Sequence, residues 1–310
     1  MRDRLEILRN LLSDDGMLFV QVDNNELHYL KILMDEVFGR QNYRNSIIAK
    51  KGFNSIQKQF TMIRKLNVSY DTILMYSKTA TNRIPKLLQK IEESKMRGSW
   101  CSHWRRTERP TMQYELLDTT PKSGQWCWSK ERSYKAVENF KTFSDHLMKN
   151  DLSIEDIDKI YEKYLKDSNI KDVKEFELIR LSKTSKPEYY IPPSDEILLS
   201  ENWLDLSVAG KITTFEHEKN EFIIQRIFDW ITKPGDLVLD SFLDSGTTAA
   251  VAQKMWRRWI GIELGDHAYT HCRPRLQKVI DGSDQSGISK SVGWKGGGGF
   301  RFYELASVSS

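Results

Sequence analysis

The sequence is short of the features that would assign it quickly. Cysteine occurs three times, at Cys101, Cys127 and Cys272, an odd and widely spaced set. It carries neither a zinc spacing nor a disulfide framework, and a reducing compartment is the default expectation. No apolar run approaches the roughly 18 residues that a membrane-spanning helix needs. The opening MRDRLEILRN has no signal-peptide core, so a soluble, cytoplasmic protein with no membrane partner is expected. Charge of one sign is also lacking. Lys and Arg number 47 against 43 Asp and Glu, and the net charge of +4 permits a polyanionic partner without arguing for one. No internal repeat is evident, no G-x-G-x-x-G occurs, and no P-loop lysine follows a glycine-rich turn.

What is present is an α/β pattern at both ends of the 310 residues. Leu5, Leu8, Leu11 and Leu12 recur at helical spacing, SDDG (13–16) stops that helix, and MLFVQV (17–22) reads as a strand. Asp23 and Asn24 offer an N-cap to a helix striped by Leu27, Leu30, Met34, Val37 and Phe38. Strands are expected at 46–51 and 71–78, with a basic stretch, KGFNSIQKQFTMIRK, between them. Residues 98–145 interleave tryptophans with cations, and 146–200 read as charged and helical up to YYIPPSDE. The pattern returns at 219–231, where Phe222, Ile223, Ile227 and Trp230 form an apolar face, and the four glycines 296–299 read as a flexible turn before a strand FRFYEL (300–305). This divides the chain into 1–44, 45–205 and 206–310: a first core part, an insertion that begins with core-edge strands, and a second core part with a tail.

The chemistry concentrates in VLDSFLDSGTTAAVAQKMWRRWIGIEL (238–264). A strand ends at Asp240, a turn carries Gly246 at the edge of a helix, and a second strand ends at Glu263. A helix N-terminus offers free N–H groups and partial positive charge, which suit a carboxylate or phosphate, and Thr247 and Thr248 add hydroxyls there. An acid about 20 residues beyond such a turn is placed to accept from ribose hydroxyls. NAD, a nucleotide and S-adenosylmethionine all satisfy these residues. The plainer reading is that Asp240 and Glu263 only cap a structural α/β unit.

DSFLDSGTT (240–248) resembles the D-P-F-x-G-S-G-T-T motif of amino-methylating DNA methyltransferases of the β arrangement. TTFEHEKNEFIIQRI (213–227) resembles the segment before that motif, with Lys219 and Glu221 at its Lys-x-Glu positions. Residues 4–39 and YDTILMYSK are similar to the elements that follow the family's catalytic motif. PKSGQWCWSKE and GGGGFRFYEL resemble modification subunits of type III restriction-modification systems. The resemblance implies a Rossmann-like methyltransferase fold with an inserted target recognition domain, S-adenosylmethionine as cofactor, and methyl transfer to the exocyclic amine of adenine. Its implied partners are double-stranded DNA, a restriction subunit and a second modification subunit in a homodimer.

Carried over residue by residue, the resemblance assigns the cofactor to Asp240, Phe242, Ser245, Gly246, Thr247, Thr248 and Glu263, with Lys219 and Glu221 beside them. Ser241 and Asp244 depart from the motif's proline and glycine, and Asp244 adds a carboxylate beside the cofactor's anionic end. Trp256 occupies a turn where a small residue would be comfortable. Arg105, Arg106 and Lys130 are candidate phosphate contacts. Trp126 and Trp128 are expected in a core, His217 is expected to be structural, and Cys101-x-His103 lacks the two further ligands of a metal site. No residue is assigned to catalysis or to a metal. The family's catalytic tetrapeptide places Asp, Asn or Ser before Pro-Pro and an aromatic residue after it. The only Pro-Pro here, Pro192 and Pro193, stands between Ile191 and Ser194 and reads as a loop. The chain is therefore expected to be the C-terminal portion of a methyltransferase whose tetrapeptide lies upstream of Met1. The alternative is a non-catalytic DNA-binding or assembly module.

Overall fold

A computed structural model describes residues 1–51, 66 and 68–305. In chain order these form α1 (Arg2–Leu11), β1 (Met17–Val22), α2 (Leu27–Phe38), β2 (Tyr43–Lys50) and β3 (Tyr70–Ser77). Then come β4 (Leu88–Lys90), β5 (Ser99–Ser102), β6 (Trp104–Arg105), β7 (Gln125–Trp126), α3 (Lys130–Lys149), α4 (Ile157–Asp167), β8 (Ile179–Leu181), β9 (Pro187–Ile191) and β10 (Glu196–Leu198). Last are β11 (Asn202–Ser207), α5 (Glu221–Ile231), β12 (Leu237–Asp240), α6 (Thr247–Lys254), β13 (Arg258–Gly261) and α7 (Arg273–Ile280). They fall into two compact units, Met1–Leu87 with Leu199–Ser310, and Leu88–Leu198. The second unit is narrower than 45–205, because β2, β3 and β11 hydrogen-bond in one sheet with β1.

In the first unit that sheet runs β1-β3-β2-β11, with β3 antiparallel to both neighbours and β2 parallel to β11. β3 is apolar on both faces, and alternation explains how it serves two cores. Leu74 and Tyr76 pack with Leu5 of α1 and with Met34, Val37 and Phe38 of α2. Ile73 packs instead with Ile47, Trp203, the α5 residues Ile223, Ile227 and Phe228, and Val251 and Met255 of α6. The result is helix, sheet, helix: the three-layer α/β arrangement. β12 and β13 pair in parallel, Leu237 opposite Arg258 through Asp240 opposite Gly261, with α6 as the crossover. Among the described residues the outer edges of β1, β12 and β13 are unpaired.

In the second unit, β5, β9 and β8 form an antiparallel sheet. One cluster joins Phe143 and Leu147 of α3 to Ile157, Tyr161 and Leu165 of α4 and to Tyr190 of β9. Another joins Tyr114, Leu116, Trp126, Val137 and Ile179.

Several expectations need correction. Asp23 caps no helix: its Oδ1 accepts from Asn25 N, and α2 starts without a side-chain cap. Leu11 is exposed, since α1 meets the sheet mainly through Leu5. Phe222 is exposed too, and Phe228 takes its place on the buried face of α5. Residues 179–198 form three short strands rather than helix. Phe300–Leu305 is not a strand, because none of its backbone pairs in a ladder. The basic stretch 51–65 lies, apart from Lys51, outside the described residues.

Candidate cofactor site

The site is built where β12 and β13 end. Asp240 Oδ1 accepts from Phe242 N at 3.0 Å, which turns the chain off the strand. Gly246 N–H then donates to Leu243 O at 2.8 Å. Two residues of the turn are left-handed, Asp244 at φ 49° and Gly246 at φ 80°. At Gly246 a side chain would be strained by this backbone conformation, although its Cβ would meet Cys272 only at ordinary contact distance. α6 starts at Thr247, and the N–H groups of its first turn have no partner within the helix.

Glu263 locks the turn to the end of the second strand. Its Oε2 accepts from Asp244 N at 2.8 Å, and its Oε1 from Leu264 N at 2.8 Å and Gly265 N at 2.9 Å. Burial pushes this carboxyl up, but the N–H groups of Gly265 and Asp244 outweigh it and hold the group below the usual carboxylate range. Three of about four lone-pair positions are filled, so the outward side of Oε2 keeps acceptor capacity. His267 Nε2 lies 2.9 Å from Oε1 but out of hydrogen-bonding alignment. Asp244 is placed differently. Burial raises its carboxyl above the ordinary range, Lys219 opposes this, and Glu263 and Asp240 add to it. Ligand atoms of Asp244, Glu263 and His267 lie within 4.8 Å of one another.

The remaining expected residues divide into those that face out and those that face in. Phe242 is exposed and stacks with the Arg4 guanidinium 5.5 Å from its ring centre. Thr248 is half-buried. Ser245 and Thr247 are buried and turned inward, their hydroxyls 3.1 Å apart and both met by Arg275. Any ligand meets them through backbone N–H rather than hydroxyl. Lys219 donates to His217 O, and its own carbonyl accepts from Thr247 Oγ1. Glu221 is withdrawn altogether: fully buried, it pairs with Lys254 and Arg275 beneath the turn and offers a ligand no free atom. A groove of about 620 Å³ reaches Leu243 and Glu263 from the β13 side, walled by Trp259, Phe300 and Phe302. That volume suits a ligand of nucleoside size.

Arg275, Lys254 and Asp284 were missed by sequence reasoning. A trace existed: Lys254 closes TTAAVAQK, a helix of small residues with nowhere to expose a charge.

In the second unit Arg105, Arg106 and Lys130 are all exposed. Trp126 is core, donating Nε1–H to Tyr114 O at 2.7 Å, whereas Trp128 is only half-buried and lies under the Arg132 guanidinium. His103 is enclosed between Trp126, Trp128 and Tyr189, with Nε2 at 3.0 Å from Ser133 Oγ.

A turn stretched between two parallel strands and locked by a late acid is the arrangement that the motif at 240–248 implied. Residues 1–273 match the family model N6_N4_Mtase, described as DNA methylase. The chain belongs to this family of DNA methylases. Among curated relatives, this methylase chain is 31% identical over 350 residues to the "Probable type III restriction-modification enzyme HindVI Mod subunit" of Haemophilus influenzae, covering 99% of this chain and 47% of the relative. It is 27% identical over 282 residues to "Type II methyltransferase M.EcaI" of Enterobacter cloacae, covering 85% of this chain and 53% of that one. The chain thus spans about half the length of these relatives. Among solved structures, the M1.HpyAVI–SAM complex aligns with a TM-score of 0.41 at 14% identity, over 89% of this chain and 81% of that one.

Proposed function

We propose that this chain is the cofactor-binding and DNA-recognition part of an S-adenosylmethionine-dependent methyltransferase that modifies the exocyclic amine of adenine in a type III restriction-modification system. The observation that carries the reading is the Asp240–Thr248 turn, with its unpartnered helix N-terminus, clamped to Glu263. The residues fit the donor. The first-turn N–H groups of α6 suit its carboxylate, Asp240 suits its ammonium, and the open side of Glu263 Oε2 suits a ribose hydroxyl. When bound, the donor supplies an electrophilic methyl group. Residues of this chain hold and orient it, and the exposed cations Arg105, Arg106 and Lys130 bind DNA phosphates.

An exocyclic amine is a poor nucleophile until acceptors take its hydrogens and an aromatic ring stacks on the extruded base. The 310 residues contain no acceptor-Pro-Pro-aromatic tetrapeptide. We infer that a strand bearing those groups pairs at the edges of β1 and β12 that are unpaired among the described residues, whose Phe19 and Val238 pack on the same core cluster. The working enzyme acts in the cytoplasm with duplex DNA, a restriction subunit and a second modification subunit. The missing tetrapeptide also favours a second reading, a DNA-binding or assembly module without turnover. Transfer of labelled methyl from S-adenosylmethionine to duplex DNA by the chain alone separates the two. The first reading expects donor binding with little or no transfer, and transfer once a tetrapeptide-bearing segment is added. Donor and DNA binding with no transfer under either condition would establish the second.

A further inference from the structure

The turn is gripped from below by one short segment. A π-helical stretch, Ala268–Cys272, runs directly into α7 and brings Cys272 and Arg275 onto one face, three residues apart. Cys272 Sγ donates to Asp244 O at 2.9 Å. Its thiol is pushed up to about 12 by burial, so it stays protonated and able to donate. Arg275 Nη1 reaches Thr247 Oγ1 at 3.0 Å and Ser245 O at 3.4 Å, while Nη2 donates to Glu221 Oε1 at 2.8 Å. Glu221 also takes Lys254 Nζ at 3.0 Å and Ile288 N at 3.0 Å, and Lys254 reaches Asp284 at 3.1 Å. Glu218, 3.6 Å from Arg275, accepts from Ile212 N and Thr213 N.

Five acidic and basic side chains, each at most 7% exposed, therefore lie in ion-pair contact beneath a turn of nine residues. Buried ion pairs stabilise a fold no better than apolar residues of the same shape, so stability does not account for placing them here. Geometry does. The guanidinium fork has fixed directions, and it draws the Ser245 and Thr247 hydroxyls inward. With the hydroxyls engaged below, the left-handed bend at Gly246 is set and the first-turn N–H groups of α6 are left to face a ligand.

We propose that Cys272 and Arg275 form a two-point clamp that holds the 244–247 turn in its ligand-binding form, with Arg275 as the positioning residue and Glu221 and Lys254 as its counter-charges. The clamp rests on the reading that this turn receives S-adenosylmethionine, yet its action on the turn can be measured without any ligand. Arg275→Lys keeps the charge and loses the fork, and Thr247→Val removes the hydroxyl at nearly constant volume.

The test is amide hydrogen exchange of the ligand-free 310-residue chain, followed by titration with S-adenosylmethionine. Arg275→Lys is expected to speed exchange at 243–249 about tenfold with the amides of β3 unchanged, and to weaken donor binding about tenfold, the scale of one charged hydrogen bond. The Arg275→Lys, Thr247→Val pair is expected to be no worse than Arg275→Lys alone, because both remove the same hydrogen bond. Wild-type exchange in the turn of folded Arg275→Lys, or penalties that multiply in the double variant, would overturn the clamp. Should Arg275→Lys fail to fold, Thr247→Val alone decides through the same exchange. A wild-type chain that binds no donor would defeat the functional reading, while the exchange data would still judge the clamp.

Discussion

Beneath the 240–248 turn the first unit buries the acidic and basic side chains of Glu218, Glu221, Lys254, Arg275 and Asp284. In the interior of the second unit the buried polar groups are neutral: His103, Ser133 and Gln125, with the Tyr114 hydroxyl donating to Ser133 Oγ at 2.6 Å. There His103 is pushed down to about 4 by burial first, then by Arg132 and Arg105, so it is uncharged at neutral pH. Arg105, Arg106 and Lys130 of that unit stay outside, and Arg180 is half-buried between Trp100 and Glu188. The contrast teaches where directional cost is accepted. A turn that must present backbone donors is held by forks and carboxylates with fixed geometry. The second unit keeps an aromatic, neutral interior and holds its charges at or near the surface.

The largest expected effect breaks the contrast on the ionic side. Lys254→Met leaves Asp284 without its cation and Glu221 with Arg275 alone, and should cost about 3–5 kcal/mol, measured by denaturant unfolding. Pairing it with Asp284→Asn, which leaves the Glu221–Arg275 pair intact, should recover much of that loss, because removing both charges is far cheaper than orphaning one. A double variant no better than the single would show that the ions themselves stabilise the unit.

On the neutral side, acid should act through His103. The unfolded imidazole takes its proton near 6.5, whereas the folded one resists until about 4. Stability is therefore complete above 6.5 and drains as pH falls toward 4, by up to about 3 kcal/mol for this group. His103→Gln should flatten that part of the profile, and an unchanged slope would mean the imidazole is not enclosed as described.

A smaller effect concerns Asp244. Its φ of 49° is a conformation that glycine adopts freely. Asp244→Gly should raise stability by about 1 kcal/mol and tighten donor binding, since it also removes a carboxylate that burial disfavours in its ionised form. Smallest of all, neutralising Arg105, Arg106 or Lys130 singly should weaken duplex DNA binding only a few-fold. Each should also lower the salt slope by about 1, the share of one neutralised phosphate. A drop in affinity that ignored salt would reassign those cations.

The two units also differed in what their sequence disclosed. The β12, α6 and β13 unit could be read because an apolar run, a single glycine and a late acid each have one local cause. The paired strands at 179–198 could not, because they are three to five residues long with one charged residue each, too short to show a period. Phe300–Leu305 alternates as a strand would, yet alternation alone makes no ladder without a neighbour. Glu221 and Thr247 were found, but on the wrong side of the turn. Sequence spacing places a residue on a loop without saying which way its side chain points, and that direction depends on Arg275, 28 residues beyond Thr247.

The central claim is that the helix N-terminus at Thr247 and the carboxylate of Glu263 together hold S-adenosylmethionine. Isothermal titration of the chain and of Glu263→Ala with that donor tests it most directly. One site in the wild type, weakened tenfold or more in the variant as expected for a missing charged hydrogen bond (about 1.5–3 kcal/mol), is the predicted result. No heat of binding in the wild type, or equal affinity in a folded Glu263→Ala, would contradict it.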